Sequence, residues 1–368
     1  MKNKTGLLVW IFTGFIISVG LMALYSASYH NIRVTNKVFY DQLFCSIFGF
    51  ALMFLLSRLD YRKFYDFSYI LYWAINILLL FVLISGRHAL GAQRWISIGG
   101  ISFQPSELAK LALILALGRY FSDTKASPIT FGATDFWQRL WRGLALPLLL
   151  TLLPVILIFK EPDLGTALLF MGIFLFMLFA SGLRYRYFAG FLGFCIALVP
   201  FGWHILKDYQ KDRLLVFLNP NIDPLGAGYT IIQSKIAIGA GQLFGKGWLS
   251  GTQNQLNFLP ERHTDFIFSV IGEEWGIFGA IFLLLCFFVL IYCGLGIAEQ
   301  VKDEFGRQVC VGIVGILTLQ VVINIGMVLG LCPVVGLTLP LVSYGRSSFM
   351  IFIIMMGFLL SLSNQSNV

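Results

Sequence analysis

Long apolar runs that alternate with short polar segments dominate the hydrophobic pattern of this chain. A run of about 20 residues lets a helix cross a hydrocarbon core about 30 Å thick, because each residue advances the helix about 1.5 Å. The pattern therefore predicts an all-α membrane protein, a polytopic bundle of about ten transmembrane helices. The predicted spans are residues 7–26, 39–57, 67–85, 106–121, 143–160, 165–182, 187–206, 266–294, 308–331 and 347–362.

The composition supports a surface that faces lipid. The chain is 58% hydrophobic and 12% charged, whereas about a quarter of the residues in a soluble domain are charged. The net charge of +8 fits the excess of Lys and Arg on the cytoplasmic side of membrane proteins, so we predict no nucleic-acid partner.

The distribution of Lys and Arg predicts the orientation. With the N-terminus in the cytoplasm, the inner segments hold thirteen of these residues and the short outer loops hold six. An even number of spans then places both termini in the cytoplasm. The chain is predicted to be one domain, residues 1–368, with a long outer loop at about 207–264. The first apolar run is long enough to be a retained helix rather than a signal peptide.

Motifs for metal or nucleotide binding are missing from the sequence. The six cysteines occur singly, without a spacing typical of metal ligands or of a disulfide framework. The segment GAGQLFGKGW at 239–248 lacks the first Gly and the final Ser or Thr of a phosphate-binding loop. We predict no metal site formed by the protein alone and no ATP-driven chemistry.

The first candidate for chemistry is Asp265, where the long outer loop enters the eighth span. A carboxylate there could simply favour the positive end of the helix dipole. It could also serve a substrate with a polar head and a lipid tail, since a charged cluster precedes it at the boundary between water and lipid. The cluster consists of Glu261, Arg262, His263 and Thr264.

Further ionisable residues lie within the apolar spans, where charge is costly. Glu107 and Lys110 are three apart and share one face of the fourth span, so an ion pair that fixes packing is the favoured interpretation, with a cavity lining as the alternative. Glu273 and Glu274 lie about two turns after Asp265, with Glu273 on the same helix face, and they are weak evidence for a polar pocket.

Basic and aromatic residues mark the outer side. Arg94 and Trp95 lie in one predicted outer loop, and Lys235 and Lys246 lie in the long one. Such side chains can rest at the lipid headgroups, or they can bind an anionic diphosphate and stack on sugar.

A segment before the last span, PVVGLTLPLVSYGRSS at 333–348, is rich in Pro, Gly and hydroxyl residues and includes Ser343. It predicts a re-entrant or broken segment, which is tolerated only where it lines protein or water. From these residues alone, an enzyme, a flippase and a transporter all remain open.

Five ordered strings resemble motifs of the SEDS family (shape, elongation, division and sporulation). They are AQRWISIGGISFQPSELAK, EPDLGTA, YQKDRLLVFLNPNIDPLGAGYTIIQSKIAIGAGQLFGKGW, GTQNQLNFLPERHTDFIF and GLTLPLVSYGRSS. The resemblance covers nearly the whole chain. The fourth string and the short N-terminus are most similar to the branch of the family that acts in cell elongation and shape determination.

The resemblance implies a peptidoglycan glycosyltransferase that polymerises lipid II into glycan strands at the outer face of the bacterial inner membrane. Its implied partners are membrane lipid, the elongation machinery and a class B penicillin-binding protein that cross-links the strands. It implies that Asp265 is catalytic, and it places the family's Arg-Trp and Glu/Lys motifs on Arg94, Trp95, Glu107 and Lys110. It implies no certain cofactor and leaves open Mg²⁺ or another divalent cation, shared with the substrate. A lipid II flippase and a non-catalytic scaffold are the alternatives.

Two positions depart from the family pattern. Glu161 stands where the family usually has Gln, and Arg346 stands where it usually has Gly. Arg346 would be strained if that Gly needs a positive φ. Alternatively, Glu161 and Arg346 could compensate one another on the outer side.

Overall fold

The structure is a computed structural model that describes residues 2–29, 32–89, 92–98, 101–126, 141–182, 188–193, 206–224 and 226–365, together with positions 197, 200 and 204. It is predominantly helical. The helices are α1 (Lys2–Ser28), α2 (Ile32–Arg58), α3 (Lys63–Ser85), α4 (Pro105–Ala126), α5 (Leu146–Lys160), α6 (Leu164–Ala180), α7 (Asp208–Leu218), α8 (Ala227–Gly241), α9 (Thr252–Gln255), α10 (Ile267–Gln300), α11 (Glu304–Val328) and α12 (Arg346–Gln365).

Seven helices in the described part of the chain are long and apolar enough to cross a membrane, when α5 is counted together with the π-helical turn Trp141–Ala145 before it, and they correspond to seven predicted spans. The predicted span at 165–182 is α6, an apolar helix of 17 residues. The predicted span at 187–206 lies mostly outside the described residues. The polytopic helical architecture is therefore confirmed, and the count of ten stays a prediction.

The predicted span at 106–121 is the central helix α4, which lies among α3, α5, α6, α11 and α12. Its residues from Ala109 to Leu117 are all buried. This helix is surrounded by protein instead of lipid, which is why it can carry ionisable residues that a lipid-facing helix would exclude.

A small antiparallel sheet precedes α4, in a stretch that the hydrophobic pattern leaves as an outer loop. Strands β1 (Arg87–Ala89), β2 (Ala92–Ile98) and β3 (Ile101–Phe103) follow in that order, and Ile96 pairs with Phe103. The sheet fixes the direction in which the side chains of β2 leave the backbone, because successive residues point to opposite faces.

The long predicted outer loop contains α7, α8 and α9. Helix α8 packs against α10 and contacts α11. The hydroxyl of Ser234 on α8 lies 2.8 Å from that of Ser269 and donates to the carbonyl of Val328 at 2.6 Å. Part of this segment is therefore built into the bundle and does not form a separate outer layer.

Helix α10 is broken at Gly276, whose φ of 65° and ψ of −160° are not helical. Glycine is required because a Cβ there would lie 2.4 Å from the backbone nitrogen of Gly245. The backbone groups freed by the break pair with the loop after α8. The pairs are Lys246 N to Glu273 O, Gly247 N to Glu274 O, Ile277 N to Gln242 O and Phe278 N to Leu243 O.

Residues 331–345, between α11 and α12, have no helical structure, although several of them are fully buried. Leu337, Leu339, Leu341 and Val342 have at most 3% of their surface exposed. Such backbone needs hydrogen-bond partners inside the protein, and those partners hold the candidate site together.

Candidate active site around Asp265

Asp265 lies just before α10, near the end of α1 and the start of α12, and so at the end of the bundle opposite the start of α1 and the end of α12. A tight turn precedes it, in which the backbone nitrogens of Thr264 and Phe266 both donate to the carbonyl of Glu261, at 3.1 and 3.3 Å. The neighbouring Arg262 donates through Nε to the carbonyl of Ala27 at 2.7 Å, near the end of α1. The turn is therefore tied to the bundle on the side of α1.

Asn324 on α11 holds the backbone of Asp265 from the other side. Its amide nitrogen donates to the carbonyl of Asp265 at 2.9 Å and to the carbonyl of Leu337 at 2.6 Å. Asn324 is fully buried. One side chain thus joins the start of α10 to the non-helical segment and fixes their separation.

Ser343 and Tyr344 connect the same two segments. The Ser343 hydroxyl donates to the carbonyl of Thr264 at 2.5 Å and accepts from the backbone nitrogen of Leu339 at 2.8 Å. The backbone nitrogen of Tyr344 donates to the carbonyl of His263 at 2.9 Å. Ser343, predicted as a pocket residue, therefore acts on the backbone beside Asp265.

The carboxyl of Asp265 has a raised pKa. Burial has the largest effect and raises the pKa to about 6, with a further rise from Glu261, while the hydrogen bond of Thr264 and the charge of Arg213 oppose it. The side chain keeps partial exposure. At pH 7 the group is mostly ionised and is a stronger base than an ordinary carboxylate.

Space remains next to this carboxylate because residue 336 is glycine. Gly336 has a φ of 74°, in the left-handed region, and a Cβ there would lie 3.7 Å from Oδ2 of Asp265. The partly exposed Asp265 therefore lies beside backbone without a side chain, where a substrate hydroxyl could approach.

Arg94 on β2 holds the turn between α5 and α6 beside the site. Its guanidinium lies 3.5 Å from Asp163 and donates to the carbonyls of Glu161, at 3.1 Å, and Pro162. Asp163 caps α6 by accepting from Thr166 N at 3.1 Å. The negative charge of Asp163 also raises the pKa of Asp265. The adjacent Trp95 is partly exposed.

Glu161 is 1% exposed, and neither of its carboxyl oxygens has a hydrogen-bond partner among the residues that the structure describes. Burial raises its pKa to about 8, Asp163 adds to the rise, and Arg94 opposes it. The compensation with Arg346 is not found, because Arg346 pairs with Asp41 on α2. Arg346 is also unstrained: it is the first residue of α12 and does not adopt a positive φ.

Glu107 and Lys110 form an ion pair behind the site, with Lys110 Nζ at 2.8 and 2.9 Å from the two carboxylate oxygens. Lys110 also donates to Gln320 on α11 at 3.2 Å, and Gln320 donates to the carbonyl of Thr338 at 2.9 Å. The packing interpretation therefore fits, because the pair is buried and braces the non-helical segment through Gln320.

Lys246 belongs to a different cluster. It contacts Glu273 at 3.0 Å and donates to Thr252 at 2.6 Å. Glu273 lies eight residues after Asp265, which is about 12 Å along a helix. Glu273 also accepts from the backbone nitrogens at the start of α9, and Glu274 accepts from Ser26 and Asn254. Both glutamates therefore anchor the loop after α8 and lie apart from Asp265.

The remaining predicted residues take separate positions. Lys235 is exposed and its side chain lies over Gly330, just past the end of α11. The ring of His263 lies 6.1 Å from that of Tyr344. Thr264 donates to the carboxylate of Glu261 at 3.2 Å. The site thus gathers Glu261, Arg262, His263, Thr264 and Ser343 around Asp265, without Lys246.

Sequence reasoning missed several supporting residues. Gln320 and Asn324 are four apart in an apolar run, so they share one helix face. That spacing of two polar residues in a buried helix is a signal that could have found them. Asp163 is followed closely by the start of a helix, which is a capping signal. The pairing of Asp41 with Arg346 has no local signal, because 305 positions separate them.

The sequence profile of the FtsW/RodA/SpoVE cell cycle proteins matches residues 6–368 of this chain. The peptidoglycan glycosyltransferase MrdB of Escherichia coli (strain K12) is 42% identical over 315 residues, covering 85% of this chain and 82% of MrdB. Stage V sporulation protein E of Bacillus subtilis (strain 168) is 37% identical over 372 residues, covering 99% and 98%. The peptidoglycan glycosyltransferase RodA of Treponema pallidum (strain Nichols) is 30% identical, covering 95% of each chain.

Two solved structures share the fold. One belongs to a peptidoglycan synthase complex that coordinates polymerization and crosslinking, with a TM-score of 0.81, 34% identity and coverage of 97% of both chains. The other is the crystal structure of the rod shape determining protein RodA of Thermus thermophilus, with a TM-score of 0.71, 31% identity and coverage of 98% of this chain and 97% of that one.

Proposed function

Because this chain belongs to the FtsW/RodA/SpoVE family, we propose that it is a peptidoglycan glycosyltransferase that polymerises lipid II into glycan strands. The observation that carries the proposal is the fixed position of Asp265, whose backbone is held by Asn324 and whose neighbour Thr264 is held by Ser343. The role that fits this chain is strand synthesis during cell elongation and shape determination.

The chain is a polytopic membrane protein, and its proposed location is the bacterial inner membrane with both termini in the cytoplasm. The excess of Lys and Arg in the inner segments supports this orientation. Asp265 then lies at the outer face, since it is at the end of the bundle opposite the termini. Lipid II presents its sugars on that side once it has been translocated.

Asp265 acts as the general base. A sugar hydroxyl is a weak nucleophile until a base accepts its proton, and a positioned carboxylate can supply that base. The pKa of about 6 for Asp265 keeps the group ionised at neutral pH while increasing its affinity for the proton. Gly336 leaves room for the hydroxyl beside Oδ2.

The reaction is a direct displacement with inversion. The 4-hydroxyl oxygen of the acceptor sugar forms a bond to the anomeric carbon of the donor, and the bond from that carbon to the polyprenyl diphosphate breaks. The hydroxyl proton passes to Asp265, and the bond electrons leave with the diphosphate. The growing charge on the leaving group needs nearby cations, and Arg213 is the candidate because its guanidinium donates to the carbonyl of Val334 at 3.3 Å, two residues before Gly336.

A divalent cation such as Mg²⁺ fits only as an ion held largely by the substrate. Among the described residues, no three His, Cys, Asp or Glu side chains converge on one point. The diphosphate oxygens would supply most of the ligands, as they commonly do in magnesium sites with phosphates. When bound, such an ion would neutralise charge on the leaving group.

The proposed partner is a class B penicillin-binding protein that cross-links the strands, acting with the rest of the elongation machinery. The similarity to one chain of a peptidoglycan synthase complex supports this proposal. A flippase needs a path for lipid II between the two faces of the membrane. The buried pair of Glu107 and Lys110 fills the bundle behind the site, which argues against such a path. The scaffold alternative predicts that Asp265 is dispensable.

The test is polymerisation of labelled lipid II by the purified chain, in complex with a penicillin-binding partner that has no glycosyltransferase activity of its own. Wild type is compared with Asp265→Asn, which keeps the shape and removes the base. Asp208→Asn is the matched control, because the side chain of Asp208 on α7 is fully exposed. Loss of a general base lowers the rate by roughly 10²- to 10⁴-fold.

We expect glycan strands from wild type and from Asp208→Asn, and strand synthesis reduced by at least a hundredfold in Asp265→Asn. Full activity of Asp265→Asn would refute the role of this residue. If neither wild type nor either variant makes strands, and wild type moves lipid II across a vesicle membrane, the protein is a flippase and not a polymerase.

A further inference from the structure

A second polar cavity lies at the other end of the bundle from Asp265. It has a volume of about 450 Å³ and is lined by Trp10, Phe54, Ser57, Arg58, Asn364 and Gln365. These residues come from the ends of α1, α2 and α12 that lie near the chain termini. Trp10 is about 25 Å along α1 from Ala27, which contacts the active-site turn. The cavity is therefore separate from the candidate active site.

Arg58 supplies the charge of this cavity. Its guanidinium carbon lies 5.0 Å from the centroid of the Phe54 ring. Within the described ranges, no carboxylate forms an ion pair with Arg58. Stacking on the aromatic ring restricts the position of this exposed guanidinium. Its planar set of N–H donors matches the geometry of phosphate oxygens, so it can bind an anion.

Two amides hold the walls of the cavity. The nitrogen of Asn364 donates to the carbonyl of Ser57 at 3.0 Å, and the nitrogen of Gln365 donates to the carbonyl of Leu59 at 3.1 Å. These bonds use the free carbonyls at the end of α2. Each amide nitrogen carries two hydrogens and uses one here, so each keeps a second donor in a residue that lines the cavity.

The cavity lies at the level of the lipid headgroups. Arg58 is the last residue of one candidate span, and Gln365 is the last residue of another. Below Arg58, Phe54 is 53% exposed and Leu55 is 57% exposed, so an apolar surface leads from the cavity into the hydrocarbon region. Trp10, at the same end, is of the residue type that favours this interface.

We propose that this cavity binds one anionic glycerophospholipid, with its phosphate on Arg58 and the amides of Asn364 and Gln365. Its acyl chains lie along Phe54 and Leu55. The basic pocket, the donors around it and the apolar surface beneath it match the three parts of such a lipid. The bound lipid links α1, α2 and α12 at the end of the bundle opposite the catalytic chemistry.

The test uses native mass spectrometry of the full chain, released from detergent with equal amounts of palmitoyl-oleoyl phosphatidylglycerol and phosphatidylcholine. Wild type is compared with Arg58→Gln, which removes the charge, and Arg58→Lys, which keeps it. Arg62→Gln is the matched control, because Arg62 is an exposed arginine at the same end and does not line the cavity. A parallel arm measures thermal stabilisation by phosphatidylglycerol and, separately, by sn-glycerol 1-phosphate.

We expect one phosphatidylglycerol to be retained by wild type, with a preference over phosphatidylcholine that falls roughly fivefold in Arg58→Gln. Arg58→Lys and Arg62→Gln keep the preference. Absence of any preference in wild type, or an equal loss in Arg62→Gln, would overturn the site. Stabilisation by free glycerol phosphate as strong as that by the lipid would instead show a site for a soluble phosphate and overturn the lipid assignment.

Discussion

Replacing Asn324 with leucine removes the amide that joins the carbonyls of Asp265 and Leu337. Both carbonyls are then left without that donor in the protein interior, and each unpaired buried group costs about 1–3 kcal/mol. The combined cost is therefore about 2–6 kcal/mol, which the segments can relieve only by moving apart. Even 2 kcal/mol corresponds to roughly a thirtyfold change in an equilibrium. We expect strand synthesis to fall by about 10- to 100-fold, because small displacements of a catalytic group have effects of this size.

The assay is lipid II polymerisation at saturating substrate, with thermal unfolding of the same samples. Asn76→Leu is the matched control, since Asn76 is also buried and donates within α3 to the carbonyl of Tyr72 at 2.8 Å. We expect Asn76→Leu to polymerise lipid II at the wild-type rate. The carbonyl of Tyr72 lies within α3 and also takes part in the backbone hydrogen bonds of the helix, so it keeps a partner when the amide is removed.

The reasoning would be refuted if Asn324→Leu polymerised at the wild-type rate. It would also be refuted if both variants lost activity in proportion to the fraction unfolded. In that case Asn324 would contribute to stability and not to the position of Asp265.

Three further predictions concern charged groups at the end of the bundle that holds Asp265. The pKa of about 6 for Asp265 predicts that the polymerisation rate falls with decreasing pH below about 6, measured as a pH profile, because the protonated group cannot accept a proton; a flat profile down to pH 5 would contradict this. In the folded protein the pKa of Glu161 is raised from 4.5 to about 8. Glu161 therefore lowers the free energy of unfolding increasingly as the pH rises from 4.5 towards 8. Glu161→Gln should therefore raise the melting temperature at pH 8 more than at pH 5, and equal shifts at both would exclude ionisation as the cause. The pair of Asp41 and Arg346 is about one-third exposed, so each single charge reversal should lower the free energy of unfolding by about 1 kcal/mol or less. The double reversal should restore this stability, measured as a double-mutant cycle of thermal unfolding.

The sequence alone determined the class of the protein. Length and apolarity of a run are local properties, so each span could be predicted without knowledge of its neighbours. The same holds for the position of Asp265 at the start of α10 and for the interrupted segment before α12, because both depend on residues that are adjacent in the chain.

The tertiary structure decided which polar groups meet. Asn324 lies 59 positions from Asp265, and Arg346 takes Asp41 in place of Glu161 as its partner. Likewise, Lys246 pairs with Glu273 and not with the active-site turn. None of these choices follows from local pattern, because a buried polar group takes whichever partner the packing of the helices brings within about 3 Å. The apolar pattern specifies that helices form and where they end, whereas their relative placement determines which side chains make a site.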